Sequence, residues 1–231
     1  MSVYSASDMA GFLSGPFGLG VVCAAWAVLL SSSIFQDAIG LDAEARVWLL
    51  DVDMERSFYT WFSQTILALT GLLLADTGIK SLSKSRGAAL SFLVLGAVFF
   101  LLSADEGLSF HEVLSARMGD VGGLQFAWVI PAAIFCMAGL AVLMPFLRSL
   151  GPRVMGMMLA AAGVFMSGAL GMEAIGGEVL FANNGEIFAR PYRLLVNIEE
   201  GAEGLGVILF LFALVRHREE AGLAPGISLF R

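Results

Sequence analysis

Apolar residues in this chain fall into six long runs separated by short polar stretches. The runs cover residues 17–35, 57–79, 88–115, 124–147, 154–180 and 192–216. A helix needs about 20 mostly apolar residues to cross the hydrocarbon core of a bilayer. Backbone N–H and C=O groups in that core must be paired within the span. The pattern therefore predicts an all-α, polytopic transmembrane bundle of about six helices, forming a single integral membrane domain over residues 1–231. The breaks carry turn chemistry: a polar stretch at 81–87, Gly151-Pro152, Asn183-Asn184-Gly185, and Pro191 ahead of the last helix. Pro131 is expected to kink the fourth helix.

Composition agrees with this reading. Hydrophobic residues make up 58% of the chain and charged residues 14%, where a soluble domain carries about 25% charged residues. The net charge of −7 argues against a nucleic-acid partner, which requires a basic face. Cys23 and Cys136 each lie inside an apolar run without metal or redox spacing, and read as packing residues. Residues 1–14 have no basic segment, so the first run reads as a retained helix and not as a signal peptide.

Lys and Arg in short loops set the orientation. With the N-terminus inside, Lys80, Lys84, Arg86, Arg148, Arg153, Arg216, Arg218 and Arg231 lie inside, against Arg46, Arg56, Arg117, Arg190 and Arg193 outside. Both termini are then cytoplasmic. The first loop, with Asp37, Asp42, Glu44, Asp51, Asp53 and Glu55, is outside. Ala160, Gly163, Ser167 and Gly171 recur at three- and four-residue spacing on the fifth helix. Such small residues permit close helix contact, within the chain or with a second copy or another subunit. Membrane lipids are the other expected partner.

The candidate chemistry is acidic. The third helix ends in Asp105, Glu106, His111 and Glu112; as one continuous helix it would bring Asp105 and Glu112 to a common face. The last helix opens with Glu199, Glu200 and Glu203, and Glu199 and Glu203 share a face. The fifth helix adds Glu173 and Glu178; Gly176-Gly177 between them would have to bend the chain to align them, and Glu173 is preferred. At 1.5 Å per residue, Asp105 lies about 26 Å from the inner end of its helix, Glu173 about 28 Å and Glu199 about 25 Å. Three separate segments thus deliver carboxyl groups to one layer near the outer surface. Gln64, about two turns into the second helix, is a candidate supporting donor or an interhelical hydrogen-bonding group.

Carboxylates inside a membrane are expensive, and by default they mark function. Like charges so close need a cation between them or a proton on one of them. Asp105, His111, Glu112, Glu173, Glu199 and Glu203 are the candidate metal ligands. One histidine among carboxylates suits Zn, Fe or Mn, and an all-oxygen subset suits Ca or Mg. Glu106 or Glu200 would then serve as general base to a metal-activated water, acting on a lipid or another amphiphile. No Glu-x-x-His pair is present, which sets the pattern apart from di-iron carboxylate bundles.

Asp105-Glu106 followed by His111-Glu112 at the end of an apolar helix, with Glu199, Glu200 and Glu203 on a later one, resembles a pattern in uncharacterised bacterial multi-pass membrane proteins. The resemblance implies a bacterial inner-membrane location and no particular activity. The expected function is a divalent-metal site at the outer end of the bundle, as in a metal-dependent membrane hydrolase. The alternatives are an accessory subunit of a membrane complex and a cation or proton transporter.

Overall fold

The structure is a computed structural model that describes residues 16–119 and 126–224. Within them the chain forms seven helices and no strand: α1 Pro16–Ala38, α2 Phe58–Ser81, α3 Arg86–Leu108, α4 Phe110–Met118, α5 Val129–Ser149, α6 Pro152–Ala182 and α7 Arg190–Glu220. A single 3-10 turn, Trp48–Leu50, lies in the α1–α2 loop. The readings of residues 1–14, of Arg231 and of a fourth-helix start at Leu124 lie outside the described residues.

Local chemistry starts these helices where the sequence offers caps. The Ser57 hydroxyl accepts the Thr60 amide at 3.1 Å, and Ser85 accepts Ala88 at 3.3 Å, each satisfying one orphan amide of a helix start. Pro152 and Pro191 occupy first-turn positions of α6 and α7, where a missing N–H costs nothing. Five helices, α1, α2, α3, α5 and α6, are long and apolar enough to cross a membrane, which is compatible with a multi-pass membrane protein. Charge keeps α7 out of that set: Arg193, Glu199, Glu200 and Glu203 lie in its first half. It is also the central helix, packed against α1, α2 and α6.

The core is a layer of Leu67, Leu74, Phe92, Phe99, Met158, Val207, Phe210 and Leu214. Two backbone crossings set its spacing. A Cβ on Gly71 would stand 3.1 Å from the Gly96 carbonyl oxygen, and one on Gly96 would stand 3.0 Å from that of Gly71. On α7, a Cβ on Gly206 would meet the Phe165 backbone nitrogen at 2.7 Å.

Each end of the bundle carries a buried ionic clasp. At one end Arg193 donates to Asp51 at 2.6 Å, Asp53 at 2.8 Å and Asp37 at 3.1 Å. Arg46 bonds Asp37 at 2.7 Å and also pairs with Asp51, and Asn197 donates to Asp37. At the other end Arg218 bonds Asp76 at 2.7 Å and Thr77 at 2.6 Å, and Lys80 joins Asp76 at 2.8 Å.

Four expectations are corrected. The third helix is not continuous to Ser115: it stops at Leu108, and Ser109, at φ 49° and ψ 45°, starts the separate helix α4. Pro131 lies in the first turn of α5, where proline is tolerated, and the interior proline is Pro145. The Gly176-Gly177 pair does not bend α6; both sit in regular helix, and the irregularity is a π-helical segment at Ser167–Met172. The small-residue stripe does not pack within the chain: Ala160, Gly163 and Ser167 are exposed, and the buried positions of this helix include Val154, Met158, Ala161 and Gly168.

Gly206→Ala drives a methyl into the α6 backbone, and in detergent it should lower stability by about 1–3 kcal/mol, while Gly163→Ala, with open space around it, should be neutral; thermal unfolding followed by circular dichroism separates them. Arg193→Met removes the buried guanidinium shared by Asp37, Asp51 and Asp53 and should cost about 3–5 kcal/mol in the same assay.

Candidate functional site: a carboxylate-lined cavity

A cavity of about 740 Å³ opens between α3, α5, α6 and α7, close to the Arg193 clasp. Asp105, Glu106, His111, Glu112, Glu173, Glu199, Glu200 and Glu203 all line it. Glu178 is exposed and takes no part. Four different helices supply these groups.

The break at Ser109 decides how α3 and α4 contribute. With Ser109 left-handed, the chain folds back so that the His111 amide donates to Asp105 Oδ1 at 3.0 Å. The carboxylate thereby caps the N-terminus of α4, where negative charge is favoured. The same carboxylate holds His111 Nδ1 through Oδ2 at 3.0 Å. Burial by itself would lower the basicity of this imidazole. The Asp105 hydrogen bond and charge outweigh that and raise its pKa to about 9.

The remaining acids form two groups. Trp128 Nε1 donates to Glu173 Oε1 at 3.0 Å, and Glu173 in turn hydrogen-bonds Glu199. Two carboxyl groups in such contact must share a proton or face a cation. The second group is Glu106, which accepts from Ser63 and is the strongest charged neighbour of both Glu200 and Glu203. The Tyr59 hydroxyl donates to the Glu200 carbonyl and so ties this turn of α7 to α2. Among the described residues, no three His, Cys, Asp or Glu side chains stand close enough together to hold a metal ion as they are placed.

The π-helical turn explains how Glu173 reaches the cavity. Such a turn inserts a residue into the helical register, and π-bulges gather at functional sites. It occurs where α6 presses on α7: a Cβ on Gly168 would stand 2.7 Å from the Glu199 carbonyl oxygen and 3.0 Å from Glu203 Cγ. Alanine spacing and glycine content do not reveal this contact in the sequence. Sequence reasoning also missed Asp53, Glu55, Tyr192, Trp128 and Cys136, which line the cavity. The acid-rich first loop was a signal for Asp53 and Glu55, since it enters α2 at the level of the site. Gln64 does not line the cavity: its side chain lies against Gly107 at the α2–α3 contact, and its backbone carbonyl accepts from the Ser103 hydroxyl at 2.9 Å.

A family model described as a domain of unknown function (DUF8692) matches residues 18–218. Neither a curated protein nor a solved structure matches the chain.

In metal-free protein, His111 should titrate near pH 9 by NMR, and Asp105→Asn should return it toward the ordinary value of about 6.5. The folded pKa lies above the unfolded one. The His111–Asp105 pair therefore stabilises the fold fully below about pH 6.5 and ceases to do so as pH rises through about 9. A melting midpoint with the same pH slope in wild type and Asp105→Asn across that window would contradict this assignment.

Proposed function

We propose that this chain, which belongs to the DUF8692 family, is a six-span bacterial inner-membrane protein whose carboxylate cavity binds a divalent metal and hydrolyses a membrane amphiphile. α7 is the sixth span. Away from its exposed ends, its charges are either clasped, as Arg193 and Arg218 are, or turned to the cavity, as Glu199, Glu200 and Glu203 are. The loop bias of Lys and Arg supports cytoplasmic termini and an outward-facing site.

The single observation that carries the metal reading is the charge imbalance of the cavity. Among the described residues it is lined by nine carboxyl groups and one histidine, with no Lys or Arg; Arg193 holds Asp53 and His111 holds Asp105, and the other seven carboxyl groups form no ion pair. Low-dielectric surroundings do not tolerate such an excess without bound cations or protons. Asp105, His111, Glu112, Glu173, Glu199 and Glu203 are the candidate ligands for Zn, Fe or Mn, with Ca or Mg on oxygen ligands alone. They are not gathered into a ready-made set, so binding draws the long glutamate side chains together by rotamer change. Glu106 or Glu200 is the candidate general base. In hydrolysis the water oxygen bonds to the electrophilic centre as the carboxylate takes its proton. The bond to the leaving group then breaks, and that proton passes to the departing atom.

A proton- or cation-transport reading draws on the Glu173–Glu199 pair. Against it, the apolar layer of Leu74, Phe99, Phe210 and Leu214 separates this cavity from Asp76 and Arg218 at the far end. An accessory-subunit reading draws on the outward-facing Ala160, Gly163 and Ser167, which are free to meet another chain.

Elemental analysis of purified protein should find stoichiometric divalent metal in wild type and loss of it in both Glu112→Ala and Glu199→Ala. Equal metal in all three proteins removes the metal reading. Glu106→Gln or Glu200→Gln should keep the metal and slow turnover of an ester or amide amphiphile by about 10²–10⁴-fold, the usual contribution of a general base.

A further inference from the structure

The cavity has a second, apolar part. Below the acid layer it runs between α3, α5 and α6, past Val98, Leu102, Ala132, Phe135, Cys136 and Phe165. Val98 lies eight residues before Glu106, Cys136 eight after Trp128, and Phe165 eight before Glu173. Along α3 and α5 that spacing is about 12 Å at 1.5 Å per residue. Three helices thus line an arm reaching to one depth, from the carboxylates toward the middle of the bundle.

The wall formed by α5 is open to the membrane. The buried residues of α5 are Val129 at its start and Phe146 and Leu147 at its end. Between these pinned ends it stands away from the bundle, and only 11% of its apolar window is buried. Ala132, Phe135 and Cys136, which face the arm, belong to this unpinned stretch. An apolar arm beside a loosely held helix in a bilayer is filled by hydrocarbon, since water gains no partners there.

We infer that the site takes an amphiphile with a single hydrocarbon chain and an amine-bearing head, the chain lying in the arm and entering from the lipid beside α5. This rests on the reading that the carboxylate cavity is the functional site, and it adds the substrate class. Charge selects the head. Apart from a bound metal, an anionic head would find His111 as its one cationic partner among the described lining residues, and the carboxyl groups other than Asp53, which Arg193 holds, against it. An ammonium finds hydrogen-bond acceptors on α3, α6 and α7 together. Volume selects the chain number: about 740 Å³ falls within the range of about 300–1,000 Å³ that encloses one drug-sized ligand, leaving little room for a second chain.

The test is photolabelling of the full chain in lipid nanodiscs with a single-chain alkyl ammonium probe that carries a diazirine at its terminal carbon. Adducts are mapped by mass spectrometry, and metal content is measured on the same samples. Adducts should concentrate on Cys136 and Phe165, which are only part-exposed, and be lost when the arm is filled by Ala132→Phe or by Ala169→Phe at a further lining position. Each variant is checked for unchanged helicity and metal content. A matching anionic alkyl sulfate probe should label these positions far less. Labelling that follows lipid exposure alone, at Met137 and Val142 on the outer face of α5, and that neither filling variant changes, overturns the inference. So does equal labelling by the two probes. Metal without arm labelling sinks this inference and leaves the metal site; arm labelling without metal does the reverse.

Discussion

Arg193 holds three aspartates at once. Its guanidinium ties the first turns of α7 to the end of α1 through Asp37 and to the α1–α2 loop through Asp51 and Asp53. The rest of the carboxylate end depends on this clasp. A helix carrying three glutamates within five residues has every electrostatic reason to slide its N-terminal half toward water. The buried guanidinium, satisfied by fixed partners on two other segments, prevents that slide. Glu199, Glu200 and Glu203 follow Arg193 by two to three turns and are therefore held at the level of the cavity. The Tyr59 contact to the Glu200 carbonyl fixes the same turn from a third side. The Arg218–Asp76 clasp anchors the opposite end, so α7 is gripped near both of its ends.

Around this anchored helix the other elements differ in how firmly they are held. α2 and α3 meet through glycine-sized gaps, and α6 meets α7 through Gly168 and Gly206. These contacts bring backbones together, and in lipid such packing replaces the hydrophobic drive available in water. α5 has no comparable contact over its middle stretch. The backbone at the polar end of the cavity is accordingly pinned from several sides, while α5 on the apolar side is buried only at its two ends.

The acids fall into subsets with different chemistry. Asp105 both caps α4 and holds His111, and that couples a structural role to a titratable one. Glu173 and Glu199 share a hydrogen bond, which needs a proton on one of the two carboxyl groups as donor. Glu106, Glu200 and Glu203 crowd together with Ser63 as the neutral donor to Glu106. The last two subsets carry like charge in close contact, which protons or a cation must offset.

Hydropathy made the helical spans legible, because the demand for apolar residues in lipid acts on each helix separately. The common level of Asp105, Glu173 and Glu199 was legible as well, since a fixed rise per residue turns sequence distance into depth. The break at Ser109 is also local, a cap from Asp105 to the His111 amide six residues on, but an unbroken apolar run hides it. Tertiary structure decided the rest. The π-helical turn in α6 arises where Gly168 presses on α7, a contact no local pattern encodes. Arg193 reads as an interfacial charge until Asp37, 156 positions earlier in the chain, is brought beside it. The apolar arm is the clearest case, for each residue that lines it looks like ordinary lipid-facing filler. Local physics acts within one helix and can be read from order along the chain, whereas the cavity is a space between helices and exists only once their packing is set.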